Sequence, residues 1–177
     1  MPDTLASWPA LPRVRALPDG GASTAIRPRE KTKERKREGR LYTHIMIPVD
    51  LAHADRLERA LKTGADLARL YDSTVTYVGV TGVQPSKVAH NPEEFAEKLS
   101  HFAQEQAASY GIRAEAKPIT AHDPAIEIDH MLIDAAHEVG ADLIVAGTHD
   151  PHLFDWPSHG GKLANHADIS VLLVRGK

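Results

Sequence analysis

Short runs of aliphatic and β-branched residues alternate along the chain with longer stretches in which apolar residues recur every three to four positions. The apolar runs lie at 44–50, 74–80, 143–146 and 169–174, and a more polar run lies at 113–120. Runs of this kind, bounded by Gly and polar residues, are typical of strands buried on both faces of a sheet. The pattern predicts five strands, with the polar one near an edge.

The stretches between the runs have the period of amphipathic helices, the first of them over 54–71. Asn91-Pro92 and Asp123-Pro124 are helix-start signals, because each places a capping residue before a proline. Gly111 and Gly140 then end these two helices. A loop rich in Gly, Pro, Ser and His follows the fourth strand and leads into a short last helix.

The predicted order is therefore β-α-β-α-β-α-β-loop-α-β. Alternating strands and helices form parallel sheets with right-handed crossovers. We predict an α/β fold: a five-stranded, mostly parallel open sheet with helices on both faces, Rossmann-like, as one domain over 41–177. Pro48 cannot donate to a ladder, so strand pairing should stop on its side of the first strand.

Charge divides the chain into two parts. Residues 1–40 carry ten Lys/Arg and five Asp/Glu, a balance of +5, whereas residues 41–177 carry eleven and nineteen, a balance of −8. The first part is rich in proline and charge and has no apolar period, so we predict a disordered basic extension. Such an extension is either inert or loosely attracted to nucleic acid or acidic lipid, and a mis-assigned start codon would give the same picture.

Composition disfavours several classes of protein. No apolar run approaches the roughly 18 residues that span a bilayer, and the first residues lack the apolar region of a secretory signal. The chain has no cysteine, which suits a cytoplasmic location. An acidic domain disfavours specific nucleic-acid binding. The first strand lacks the Gly-x-Gly-x-x-Gly turn of dinucleotide folds, and no nucleophile–base pair indicates an enzyme.

Three segments resemble one known family when they are taken in order. They are HIMIPVD at 44–50, ADLIVAGTH at 141–149 and KLANHADISVLLVR at 162–175. Together they resemble the universal stress protein (UspA-like) family across residues 41–175. The resemblance implies the adenine-nucleotide α-hydrolase-like fold and a stress-response regulator that binds ATP with Mg²⁺. It also implies a homodimer that pairs through the C-terminal strand.

Nucleotide-binding members of that family carry Gly-x2-Gly-x9-Gly followed by Ser or Thr. Glycines let the backbone approach phosphate, while the hydroxyl and a helix N-terminus hold its oxygens. Counted forward from Gly147, the second position holds Asp150, and the third holds Gly160, followed by Gly161. The glycine-rich loop is therefore degenerate in this register.

A second register follows from aligning backward from the last strand. It places Ser158 at the hydroxyl position and Pro157 at the last glycine, with a loop slightly shorter than usual. We prefer this register because helix and strand lengths constrain alignment better than a loop does. Some family members replace the second glycine with a Pro-containing sequence, and His-Asp-Pro at 149–151 is similar.

The resemblance also implies contacts outside the loop. Asp50 would lie near the ribose or the phosphate-bound metal, but it could equally cap the helix that follows. Val80 would meet the adenine edge through its backbone, unless it is ordinary core. The predicted ligand contacts are Pro48, Val49, Asp50, Val80, Gly147, Thr148, His149, Ser158, Gly160 and Gly161, without a catalytic residue or a protein-held metal.

Two further interpretations stay open. Asp150, Gly161 and the short loop would suit a dimeric member that has lost nucleotide and acts through protein partners. His149 and His152 could share a Zn²⁺ or Ni²⁺ ion, although loop histidines on the surface explain the same pattern.

Overall fold

A computed structural model describes residues 40–122, 124–148 and 159–176. The strands and helices follow the predicted order. They are β1 (His44–Pro48), a 3-10 helix (Leu51–Leu57), α1 (Glu58–Tyr71), β2 (Thr74–Gly82), α2 (Pro92–Tyr110), β3 (Arg113–Ala121), α3 (Pro124–Val139), β4 (Leu143–Thr148), α4 (His159–His166) and β5 (Ser170–Arg175).

The five strands form one sheet in the order β3-β2-β1-β4-β5, and every neighbouring pair is parallel. This confirms the predicted α/β fold with a parallel open sheet. The polar strand β3 lies at one edge, as expected, and β5 lies at the other. From β1 the chain first adds β2 and β3 on one side of the sheet and then β4 and β5 on the other side. The strand order therefore reverses between β1 and β4.

Helices cover both faces of the sheet. Ile45 and Ile47 of β1, and Val49 just after it, point into a core formed with α1 and α2. Met46 points to the opposite face, into a core formed with α3 and α4. This alternation is the two-residue period of a strand that is buried on both sides.

The predicted ends of α2 are confirmed. The Asn91 side chain accepts a hydrogen bond from the Glu94 amide at 2.8 Å, and the Glu94 carboxylate accepts one from the His90 amide at 2.8 Å. Hydrogen bonds from Lys98 and then from His90 lower the pKa of the Glu94 carboxyl to about 2. Gly111 ends the helix with φ +64°, a conformation that glycine adopts without strain. The second predicted helix start is Asp123-Pro124, and Asp123 lies outside the described residues.

One predicted helix differs from expectation. The stretch predicted as a helix over 54–71 is a 3-10 helix followed by α1, with non-helical angles at His53. The reason is local, because the Asp50 side chain accepts from the Ala52 amide and starts the helical turn earlier than the apolar period indicates. Short 3-10 turns are common at such helix starts.

The amino ends of β1 and β4 are tied together by one carboxylate. Asp142, just before β4, accepts from the Thr43 amide and hydroxyl, both at 2.7 Å, and from the His44 amide at 3.1 Å. The Asp142 amide donates back to the His44 carbonyl at 3.0 Å. β1 and β4 are therefore held in register at this end of the sheet.

The predicted basic extension lies outside the described residues except for its last member. Arg40 is half-buried, and its guanidinium binds both the carbonyl and the carboxylate of Asp72. Arg113 binds the same carboxylate at 3.0 Å. The nearby Arg113 and Arg40 guanidinium groups lower the pKa of the Asp72 carboxyl. Arg40 thus contacts the folded part of the chain, and the division into an extension and a domain stays a prediction.

Gly79→Ala should destabilise the protein by about 1–3 kcal/mol, the usual cost of overpacking a core. A Cβ at Gly79 would lie 2.9 Å from Cζ of Phe95 and 3.2 Å from Cδ1 of Leu99. Urea unfolding of the full chain measures the loss. In a Phe95→Leu background, where the ring atoms are absent, the same substitution should cost less. Equal costs in both backgrounds would contradict this packing argument.

Candidate functional site

The candidate site, which we call the crevice, is the gap in pairing between β1 and β4 at the carboxyl end of the sheet. β1 pairs with β4 over 45–46 only, whereas its pairing with β2 continues to Pro48. The Val49 amide still donates to the Val78 carbonyl at 2.8 Å. Because neighbouring residues of a strand direct their backbone groups to opposite sides, the ring nitrogen of Pro48 faces β4 and cannot donate. The predicted stop in pairing is confirmed, and it lies where the strand order reverses, the usual ligand position in open α/β sheets.

Asp50 lies at the rim of this crevice and caps the 3-10 helix. Its Oδ1 accepts from the Ala52 amide at 2.9 Å, and its Oδ2 lies 2.7 Å from Nδ1 of His53. The Asp50 carbonyl also accepts from the His53 amide at 3.1 Å. The capping interpretation is therefore confirmed. Each carboxylate oxygen can accept a second hydrogen bond, so Asp50 can still contact a ligand.

The residues expected beside an adenine base are more buried than Asp50. Val49 is 7% exposed and belongs to the core under α1 and α2. Val80 is partly buried and packs on the opposite face, against the core of α3 and α4. Pro48 is half-buried at the mouth of the crevice. The side chains of Val49 and Val80 are thus packed in the core, which agrees both with ordinary core residues and with residues that meet a base. A ligand could contact their backbone groups only.

Gly147 has a packing reason that the loop motif does not reveal. A Cβ at this position would lie 2.8 Å from Cδ2 of Leu57 and 3.4 Å from Cβ of Ala60. The absence of a side chain therefore lets the 3-10 helix and α1 lie close against the end of β4. The next residue, Thr148, pairs with Arg175 of β5, and its carbonyl accepts from the Gly176 amide at 3.0 Å.

The last helix begins beside the predicted phosphate loop. Gly160 and Gly161 are the second and third residues of α4. The first amide groups of a helix have no partner within the helix, so they can donate to an anion. His149 and Ser158 lie outside the described residues, as does the whole stretch 149–158, and the choice between the two registers stays open.

Within the described residues there is neither a candidate metal cluster nor a membrane-spanning helix. His149 and His152 lie outside the described residues, and elsewhere the described chain holds no cluster of three His, Asp or Glu suited to a metal ion. Among the helices of the described ranges, none has the length and apolar character needed to cross a membrane.

Arginines near the end of β5 were not singled out from the sequence. Nη1 of Arg59 donates to the Arg175 carbonyl at 3.3 Å. The backbone carbonyl of Arg56 lies 4.0 Å from where a Cβ of Gly176 would be. Arg56 and Arg59, which are three residues apart, thus lie near the distant Arg175 beside the carboxyl end of β4. The signal available in the sequence was Arg175 itself, at the end of the segment that carries the family resemblance.

Comparison with known family models and with known proteins identifies the same family. The model of the universal stress protein family matches residues 41–175. A Staphylococcus aureus (strain USA300) protein that carries the universal stress protein name is 30% identical over 145 residues, which cover 76% of this chain and 84% of that protein.

Solved structures of two proteins from that family resemble the fold. The universal stress protein of Archaeoglobus fulgidus in complex with dAMP has a TM-score of 0.55 and 24% identity, covering 75% of this chain and 98% of that one. An Arabidopsis thaliana family protein with AMP bound has a TM-score of 0.53 and 17% identity, covering 76% and 92%. At these identities the two structures support the fold alone.

Asp50→Ala should lower the free energy of unfolding by about 0.5–2 kcal/mol, because the cap of the 3-10 helix is lost. Asp50→Asn should lower it much less, since an amide oxygen can still accept from the Ala52 amide. Urea unfolding of the full chain compares the two variants. If both lose the same stability, the cap is not what Asp50 contributes.

Proposed function

Because the chain belongs to the universal stress protein family, we propose that it binds an adenine nucleotide in the crevice at the carboxyl ends of β1, β2 and β4. The observation that carries the proposal is the early end of the β1–β4 ladder beside Pro48, with a partly exposed carboxylate, Asp50, at the rim. The dAMP and AMP complexes of the two structural neighbours support adenine as the base.

Each part of the nucleotide has a proposed partner. The base would lie against Pro48 and the backbone of Val49 and Val80. Asp50 would accept from the ribose hydroxyls or hold Mg²⁺, which prefers carboxylate and phosphate oxygens. The described carboxylate fits either role, because its oxygens keep free lone pairs. The phosphates would bind at the start of α4 and the loop before it, through Thr148, His149, Ser158, Gly160 and Gly161.

We further propose that the protein acts as a cytoplasmic regulator and not as a metabolic enzyme. ATP with Mg²⁺ is the ligand proposed, and occupancy of the crevice would be the signal that partners sense. Family membership supports a stress-response role. A folded unit over 41–177, preceded by a basic extension, is part of the same proposal.

A second proposal concerns assembly, and it rests on the contrast between the two edges of the sheet. β3 carries charged residues and Pro118 along its length, which discourage pairing with another chain. β5 carries none between Ser170 and Arg175, and Leu172 and Leu173 are 37% and 38% exposed. An uncovered apolar edge strand favours pairing. We propose a homodimer formed by antiparallel pairing of β5.

Calorimetric titration of the full chain should show saturable binding of AMP and of ATP with Mg²⁺. Asp50→Asn should weaken binding while it keeps the capping acceptor, so it separates ligand contact from helix stability better than Asp50→Ala does. Weakening confined to ATP with Mg²⁺ would assign Asp50 to the metal. Weakening of AMP without metal as well would assign it to the ribose.

Asp66→Asn is the matched control for Asp50→Asn. Asp66 pairs with Lys62 and Arg69 on α1, away from the crevice. Its affinities should equal those of the wild type. Absence of any heat with AMP and with ATP, from protein shown to be folded by circular dichroism, would exclude the nucleotide proposal. The partner-binding interpretation would then be favoured.

Sedimentation of the full chain should show a dimer, and Leu173→Lys should shift it toward monomer, since the pairing edge would then carry like charges. Thr120→Lys is the control, because it adds the same charge to the β3 edge and should leave the dimer intact. A wild-type monomer at high protein concentration would contradict the assembly proposal, and so would a Leu173→Lys dimer.

A further inference from the structure

Arg175 ends β5 directly beside the residue at which the predicted phosphate loop begins. It pairs with Thr148, the last described residue before the loop. Val171 packs into the core of α3 and α4, whereas Val174 packs into the core of α1 and α2. Because side chains alternate along a strand, Arg175 projects to the same side as Val171, the side that α4 covers.

The backbone of Arg175 is fixed while its side chain is exposed. Its carbonyl accepts from Arg59 at 3.3 Å, and the following amide, of Gly176, donates to the Thr148 carbonyl at 3.0 Å. Other arginines of the fold, Arg40 and Arg113, bind the Asp72 carboxylate. The Arg175 side chain is exposed, and no salt bridge within the described ranges pairs it with a carboxylate.

The start of α4 lies at the same edge and on the same side of the sheet. α4 connects the parallel strands β4 and β5, so it runs back along the sheet and begins at their carboxyl ends. The amino end of a helix has a partial positive charge. The guanidinium of Arg175 and the start of α4 therefore add positive potential at one corner of the crevice.

The loop itself supplies no cation. Residues 149–158, HDPHLFDWPS, contain Asp150 and Asp155 and neither Lys nor Arg. A phosphate near this loop would meet negative charge where the family motif has glycine. A positive side chain outside the loop would offset that charge, and Arg175 pairs with Thr148, the residue directly before the loop.

We propose that Arg175 is the phosphate-recognising residue of the crevice and selects phosphorylated nucleosides over free nucleosides. The inference rests on the proposed nucleotide function and deepens it. A guanidinium donates two parallel hydrogen bonds to phosphate oxygens, which gives both charge and geometry. Arg175 acts on the phosphate only, whereas the base and ribose bind at the ends of β1 and β2.

The test is calorimetric titration of the full chain with adenosine and with AMP. Arg175→Gln should weaken AMP binding about tenfold, the size expected of one charge-assisted contact, and leave adenosine affinity unchanged. Arg175→Lys, which keeps the charge, should recover part of the loss. Arg113→Gln is the matched control, because Arg113 binds the Asp72 carboxylate at the opposite edge of the sheet and its loss should leave the ratio of AMP to adenosine affinity as in wild type.

The outcomes separate this inference from the proposed function. If wild type binds neither adenosine nor AMP, the nucleotide function itself fails. If wild type binds AMP and Arg175→Gln binds it equally well, or loses adenosine and AMP in parallel, the role of Arg175 is overturned and the nucleotide function stands. Sedimentation compares the oligomeric state of each variant with that of wild type. If wild type is a dimer and Arg175→Gln loses both the dimer and AMP binding, Arg175 acts in assembly and the inference is overturned.

Discussion

The end of one hydrogen-bonded ladder determines the shape of this molecule's candidate site. At its amino end the β1–β4 pair is clamped by Asp142, which accepts three hydrogen bonds from Thr43 and His44. After 45–46 the pairing stops, because Pro48 has no amide to offer β4. One strand pair is thus fixed at one end and open at the other. The gap in pairing thus coincides with a single missing donor.

Close packing of helices against the sheet explains two of its glycines. Gly147 lets the 3-10 helix and α1 approach the end of β4, and Gly79 makes room for Phe95 and Leu99 on β2. In both places a side chain on the strand would clash with the neighbouring helix, and glycine avoids the clash. A glycine that looks like part of a phosphate motif can therefore owe its presence to helix packing, and the two explanations do not exclude each other.

Much of the fold could be predicted because its signals are local. Asn91-Pro92 and Gly111 mark the ends of α2 by their own backbone chemistry, and the polar pattern of β3 indicates an edge. The 3-10 helix was not predicted, since it depends on where the Asp50 side chain finds an amide. The neighbours of Gly147 and Arg175 could not be predicted, because they come from elements distant in sequence.

Asp50 links two properties that are usually separate. Its carboxylate accepts from the Ala52 amide and lies 2.7 Å from Nδ1 of His53, and Asp50 also follows the carboxyl end of β1, where the crevice is placed. Any ligand that recruits these oxygens changes how firmly the first turn after β1 is held, and by thermodynamic reciprocity the firmness of that turn changes the affinity for the ligand. The exchange rate of the Ala52 amide hydrogen would then report occupancy of the crevice. In this way a capping residue can couple the binding of a small molecule to the stability of the helical turn that leads into α1.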